Sequence, residues 1–155
     1  MNEYVLVKWI HVVSSTILFG TGIGSAYYML LASLKRDPRV VHAVVRNVVL
    51  ADWLFTTPAV ILQPLTGIWL VHLAGFPWTS RWIMWSIVLY FVAGACWLPV
   101  VWMQIRMREM ARIAVDEGSP LPQRYFRYLG AWVALGIPAF VALVVVFYLM
   151  VAKPA

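Results

Sequence analysis

The sequence predicts an all-α fold, an integral membrane four-helix up-down bundle with both termini on the non-cytoplasmic side. Three observations carry that prediction. First, 63% of the residues are hydrophobic and 12% charged, and the mean hydropathy is +0.83, which leaves too few solvated groups to cover a soluble surface. Second, uncharged stretches of the ~20 residues that cross a bilayer core as helix recur at Trp9 to Leu34, Trp53 to Ser80, Trp82 to Ile105 and Tyr128 to Ala152. Third, the basic residues are not spread over a face but fall between spans. Lys35, Arg36, Arg39 and Arg46 follow the first, and Arg106, Arg108, Arg112, Arg124 and Arg127 follow the third, while Lys8, Arg81 and Lys153 fall on the other side. The positive-inside rule then puts both basic connections in the cytoplasm, in the bacterial inner membrane. The formal charge of +6 is thereby topology, and no nucleic-acid-binding face is expected.

One transmembrane domain over 1–155 follows, with spans at about 5–34, 47–75, 80–110 and 126–152. The first span carries Gly24-Ser25-Ala26, which looks like a signal-peptidase site, but the apolar run continues to Leu34 and Glu3 accompanies Lys8, so a retained helix is expected. Pro38 suits the first turn of a helix running along or into the membrane. Pro58 and Pro64 each remove a backbone hydrogen bond from the second span and predict bends. Pro99 and Pro138 do the same in the third and fourth. The third helix is expected to leave the membrane for a turn or two until Gly118, Pro120 and Pro122 stop it, and Tyr125 and Phe126 restart the chain. The nine tryptophans lie mostly toward span ends and read as interface anchors. Cys96, the single cysteine, excludes an intrachain disulfide and is expected to be a packed thiol.

Polar residues inside the spans are the functional candidates. At about 100° per residue, His11 shares a face with Ser15, Leu18 and Gly22, edged by Ser14, Ser25 and Ala26. The GTGIG around Gly22 is not a dinucleotide loop, because no strand precedes it and no acid follows at the needed distance. Gly20 and Gly24 make a GxxxG, which lets a neighbouring helix approach or leaves room for a flat cofactor. A histidine above such a small-residue stripe suits haem. On the second span Asp52, Thr56, Ala59 and Gln63 share a face, with Thr66 close by. Asp52 is expected to cap or to pair with Arg46, Gln63 to face the bundle and bond Ser or Thr hydroxyls, and Gln104 to be interfacial. His42 is expected to be solvated.

His72, near the same end of the bundle as His11, is the expected second axial ligand of a haem b, with Met84 and Met150 as alternatives. Lys8 and Arg81 are the expected propionate partners. The function expected is electron transfer or a membrane oxidoreductase with haem near the outer leaflet, acting on quinone, a porphyrin or a redox partner protein, with a homo-oligomer allowed. An accessory or scaffold subunit and a small transporter using Gln63 and Asp52 are the alternatives. No hydrolytic constellation is present.

Two resemblances accompany this reading. The stretches "ADWLFTTPAVILQPLTGIWL", "CWLPVVWMQIRMREMA" and "LPQRYFRYLGAWVALGIPAF" resemble a bacterial domain-of-unknown-function family of four-helix inner-membrane proteins, and that resemblance implies the fold without an activity. Lys8-Trp9-Ile10-His11 resembles the K-x-x-H opening of the HemJ-type protoporphyrinogen oxidases and of CopD-like helices, which implies that His11 ligates haem. The lysine that family carries on its third helix is missing here, where "SRWIMWSIVL" offers Arg81, Trp82, Met84 and Trp85.

Overall fold

In a computed structural model that describes residues 2–154, the chain is 88% helical without strands among those residues. α1 (Glu3–Leu34) starts where the Asn2 side chain accepts the Tyr4 N–H at 3.1 Å, satisfying one of the amides that a helix start leaves free. A two-residue turn at Lys35 and Arg36 leads to Asp37, which caps α2 (Pro38–Ala51) by accepting the Arg39 N–H at 2.9 Å, with Pro38 in the first turn. α2 runs without interruption through one π turn (Asp52–Thr56) into α3 (Thr57–Ala74). Gly75 ends α3 in the left-handed region (φ 67°), which costs glycine nothing. α4 (Arg81–Asp116) and α5 (Gln123–Ala152) complete the bundle, with the break between them at Gly118 and Pro120.

The π turn and the prolines are linked. Pro58 has no N–H to offer the Leu54 carbonyl, and its ring would strike that carbonyl in a regular helix. The wider turn just upstream, closed by Thr57 N–H to Asp52 C=O, relieves the clash. Pro64 likewise removes the donor of the Val60 carbonyl, and there the Tyr90 hydroxyl of α4 donates instead. A neighbouring side chain thus restores the bond the proline deletes, the condition under which proline is tolerated inside a membrane helix.

All four long helical runs, Glu3–Leu34, Pro38–Ala74, Arg81–Asp116 and Gln123–Ala152, are long and apolar enough to span a bilayer. All four exceed its hydrocarbon core of ~30 Å, the 37 residues of Pro38–Ala74 reaching about 55 Å at ~1.5 Å per residue. Both termini share one end. Trp69 Nε1 near the end of α3 donates to Glu3 Oε1 at 3.1 Å, and the Lys153 ammonium sits 4.7 Å from the Phe76 ring. This is called the terminal end, and the other, with the α1–α2 and α4–α5 connections, the basic end.

The core lies at the basic end. α2 presents Val41, Val45, Val48 and Val49, spaced i, i+4, i+7 and i+8, to α1 and α4, and keeps Arg39 and Arg46 exposed on its far side. These valines pack with Met29, Met103, Met107, Ala111 and Tyr125. Ser33 and Tyr125, both fully buried, share a hydrogen bond of 2.7 Å. Toward the terminal end α2 has given way to α3, and the bundle separates into two pairs: α1 packs on α3 and α4 on α5, with little packing between pairs. A cleft runs between them.

Several expectations are corrected here. Trp132 is buried and is no interface anchor, because α5 turns it into the bundle where α2 ends. Gln104 is buried rather than interfacial, and His42 is half-buried rather than solvated, because the helix carrying His42 packs on α1 and α4 instead of lying free. At Gly20 and Gly24 an added Cβ would meet nothing within 4 Å, so no helix approaches the GxxxG. The ion pairs among the described residues are Arg112 with Glu109 (2.6 Å) and with Asp116 (2.7 Å); Asp52 makes none with Arg46, which is exposed.

Candidate functional site

The buried polar side chains of α1 and α3 meet in one network where the two helices pack. Gln63 Nε2 donates to the His11 carbonyl (2.8 Å) and to the Ser14 hydroxyl, and Ser14 in turn donates to the same carbonyl (3.2 Å). His11 Nδ1 lies 2.7 Å from Thr66 Oγ1. Asp52, Thr56, Ala59, Gln63 and Thr66, the face expected from helical periodicity, are all buried. Gln63 is therefore spent on holding α1 to α3, which removes the main motive for a transport pathway through it.

The protonation of His11 follows from the partners of Thr66. Thr66 Oγ1 is 2.6 Å from the Leu62 carbonyl oxygen. Two oxygens at that distance repel unless a proton lies between them, and a carbonyl has none to give. The threonine proton is therefore on that line and Oγ1 accepts from Nδ1–H, so that a neutral imidazole carries its lone pair on Nε2. Nε2 has no hydrogen-bond partner among the described residues. One ring nitrogen tied down and the other free is the state in which histidine binds a metal. Gly67, next along α3, lets the imidazole sit close: an added Cβ would lie 3.4 Å from His11 Cε1.

His11 borders a compartment of about 210 Å³ at the terminal half of the cleft, walled by α3 at Pro64 and Gly67, by α4 at Trp82 and Ser86, and by α5 at Val146 and Met150. Leu18, Phe19, Tyr90 and Leu143 separate it from a second compartment of about 460 Å³ nearer the basic end, bordering both. The first compartment is almost wholly apolar apart from His11, Ser15, Gln63, Ser86 and Tyr90.

The expected site residues divide accordingly. His11, Ser15 and Met150 border the same compartment, and Gly22 borders the second. His72 does not join His11. It is exposed in the last turn of α3, about 9 Å along the axis and ~240° around from Thr66, and the expected bend toward His11 is absent because the irregularity falls at Asp52–Thr56, on the far side of Thr66. Met84, Arg81 and Lys8 are exposed and outside the compartment. Lys153 is the basic residue beside it, with its ammonium 5.7 Å from the Trp82 ring. That position was hidden in the sequence, since Lys153 reads there only as a topology charge. Thr66 and Gly67 were also missed as partners of His11, and their i, i+1 positions next to the Gln63 face are the signal that points to them.

Among the described residues no three His, Cys, Asp or Glu side chains come together as a metal site.

Neither a curated protein nor a solved structure matches the chain. A family model described as a predicted integral membrane protein (DUF2269) matches residues 5–154.

Proposed function

The chain belongs to the DUF2269 family of predicted integral membrane proteins, and from that premise we propose that it is a haem-b protein of the bacterial inner membrane, serving electron transfer or a membrane oxidoreductase. The observation that supports this reading is the pairing of Thr66 with His11 Nδ1, which leaves Nε2 bare at an apolar compartment. Haem held there supplies one-electron chemistry. His11 Nε2 would hold it, and the Met150 thioether, bordering the same compartment, would be the further donor available. Gln63 and Ser14 fix the backbone beneath the histidine, and Lys153 offers a cation near Trp82 for a carboxylate at the mouth. α3 and α4 meet at the Tyr90–Val60 hydrogen bond and are otherwise little packed on each other, so widening the compartment for a haem pulls on that bond. The distribution of basic residues supports a cytoplasmic basic end and a haem toward the outer leaflet.

The test is a reduced-minus-oxidised spectrum of protein purified from cells supplied with haem precursors. A sharp b-type band that disappears in His11→Ala and persists in His72→Ala is the expected result. Colourless wild-type protein overturns the proposal.

A further inference from the structure

At the basic end the seam between α4 and α5 carries two cations that no acid in the chain answers. Trp102 of α4 and Tyr128 of α5 touch across that seam, their ring centroids 5.7 Å apart. The two helices run antiparallel and pack on each other, so one turn beyond this aromatic pair Arg106 of α4 comes level with Arg124 of α5. Residues four apart share a helix face, which keeps both arginines on the side of the seam that the aromatic pair occupies. Both are exposed. The Arg124 guanidinium is held in place: Cζ lies 5.3 Å from the Tyr128 ring centroid, and one of its nitrogens donates to the Tyr128 hydroxyl at 2.8 Å.

The acids that could balance them are engaged elsewhere. Neither arginine makes an ion pair among the described residues, and Glu109, three residues on from Arg106, is taken by Arg112 at 2.6 Å. Arg112 also takes Asp116. The first turn of α5 holds no acidic residue, and Pro122 supplies no side-chain cap. Arg124 thus sets a positive charge at the helix end where the macrodipole favours a negative one. An anion seated between the two guanidiniums would relieve both their mutual repulsion and that misplaced charge.

Depth in the membrane identifies the anion. Trp102 lies 21 residues along α4 from Arg81, ~32 Å at ~1.5 Å per residue, which is the edge of a hydrocarbon core of ~30 Å. Arg106 is the first charge after Arg81 in the chain and stands one turn farther out, in the headgroup layer. Packed helix axes are ~8–10 Å apart, so one phosphate group lies within reach of both arginine side chains.

We infer that the α4–α5 seam at the basic end binds a phospholipid of net negative charge, its phosphodiester between Arg106 and Arg124. The planar guanidinium fork matches phosphate oxygens. Trp102 and Tyr128, at the level where aromatic rings bridge headgroup and acyl chain, receive the glycerol and the first methylenes. A zwitterionic lipid fits less well, because its ammonium group adds a third cation to the two already there.

The experiment titrates phosphatidylglycerol, and separately phosphatidylcholine, into the full chain in detergent and follows lipid retention by native mass spectrometry and the melting temperature. Saturable binding of phosphatidylglycerol that raises the melting temperature is expected, weakened about tenfold, ~1.4 kcal/mol, by Arg106→Gln and by Arg124→Gln. Both side chains are exposed, so each variant is expected to melt as wild type does without lipid. Arg46→Gln removes the same charge from the far side of α2 and is expected to leave the affinity unchanged. An equal loss in Arg46→Gln assigns the binding to net charge and overturns the inference. Equal affinity for phosphatidylcholine, or equal stabilisation by inorganic phosphate or polyglutamate, overturns it as well.

Discussion

Gly67 of α3 faces His11 of α1 so closely that a methyl carbon at Gly67 would stand 3.4 Å from His11 Cε1. Alanine there asks the imidazole to give by a few tenths of an ångström. Valine adds two further carbons, and overfilling a packed site of this kind costs about 1–3 kcal/mol. Melting temperatures in detergent are expected to fall little in Gly67→Ala and clearly in Gly67→Val. On the haem reading proposed above, loss of the b-type band should follow the same order. A valine variant as stable as wild type contradicts the close approach.

Thr66→Val keeps the shape of the side chain and removes the acceptor of His11 Nδ1–H. The imidazole N–H is then buried without a partner, at a cost of about 1–3 kcal/mol. Thr66→Ser keeps the oxygen and is expected to recover most of the loss. Differential scanning of the two variants separates the hydrogen bond from the packing of the methyl group, and equal destabilisation would assign the effect to packing.

Tyr90 and Pro64 are expected to be coupled. Tyr90→Phe leaves the Val60 carbonyl without the donor that Tyr90 supplies in place of residue 64, and a loss near 1 kcal/mol is expected, within the ~0.6 average and ~1.7 maximum found for hydrogen bonds between membrane helices. Pro64→Ala restores a backbone N–H to that carbonyl. In a double-mutant cycle the tyrosine change should therefore cost less on the alanine background. Additive effects would show that the hydroxyl serves something else.

At the basic end, Tyr125→Phe removes the hydroxyl bonded to Ser33 while Ser33 still donates to the Met29 carbonyl at 2.7 Å. The expected cost is about 1 kcal/mol. Tyr125→Ala, which also empties the centre of the core, should cost about 3–5 kcal/mol. A phenylalanine variant that falls as far as the alanine one would place the value of this residue in its hydroxyl rather than its ring.

The spans were legible because charge is excluded from the hydrocarbon layer and the four uncharged stretches show where it lies. The inward face of the second span was legible too, since Asp52, Thr56, Gln63 and Thr66 are the polar exceptions among apolar neighbours and recur at the helical period. Rotation of the other helices was not. α4 is apolar all round within the membrane, so its period carries no contrast, and nothing in the sequence said that Gln104 of α4 or Trp132 of α5 would turn inward. Those orientations come from α2, whose valines press on α4. The pairing of His11 with His72 failed for a related reason. Depth can be counted along a helix, but azimuth beyond a proline depends on where the irregularity falls, and the π turn placed it upstream of Pro58.

The separation of the bundle into two helix pairs over one half, joined by a dense core over the other, gives the molecule a gradient of local stability along its length. Amide exchange should be slowest around Met29, Val45, Met107 and Tyr125, where opening means dissolving the core. Toward the terminal end the pairs are joined by less, chiefly Phe19 against Phe140 and Phe147 and the Tyr90–Val60 hydrogen bond. The basic end is the fulcrum and the pairs its arms, held to each other along their length by those few contacts.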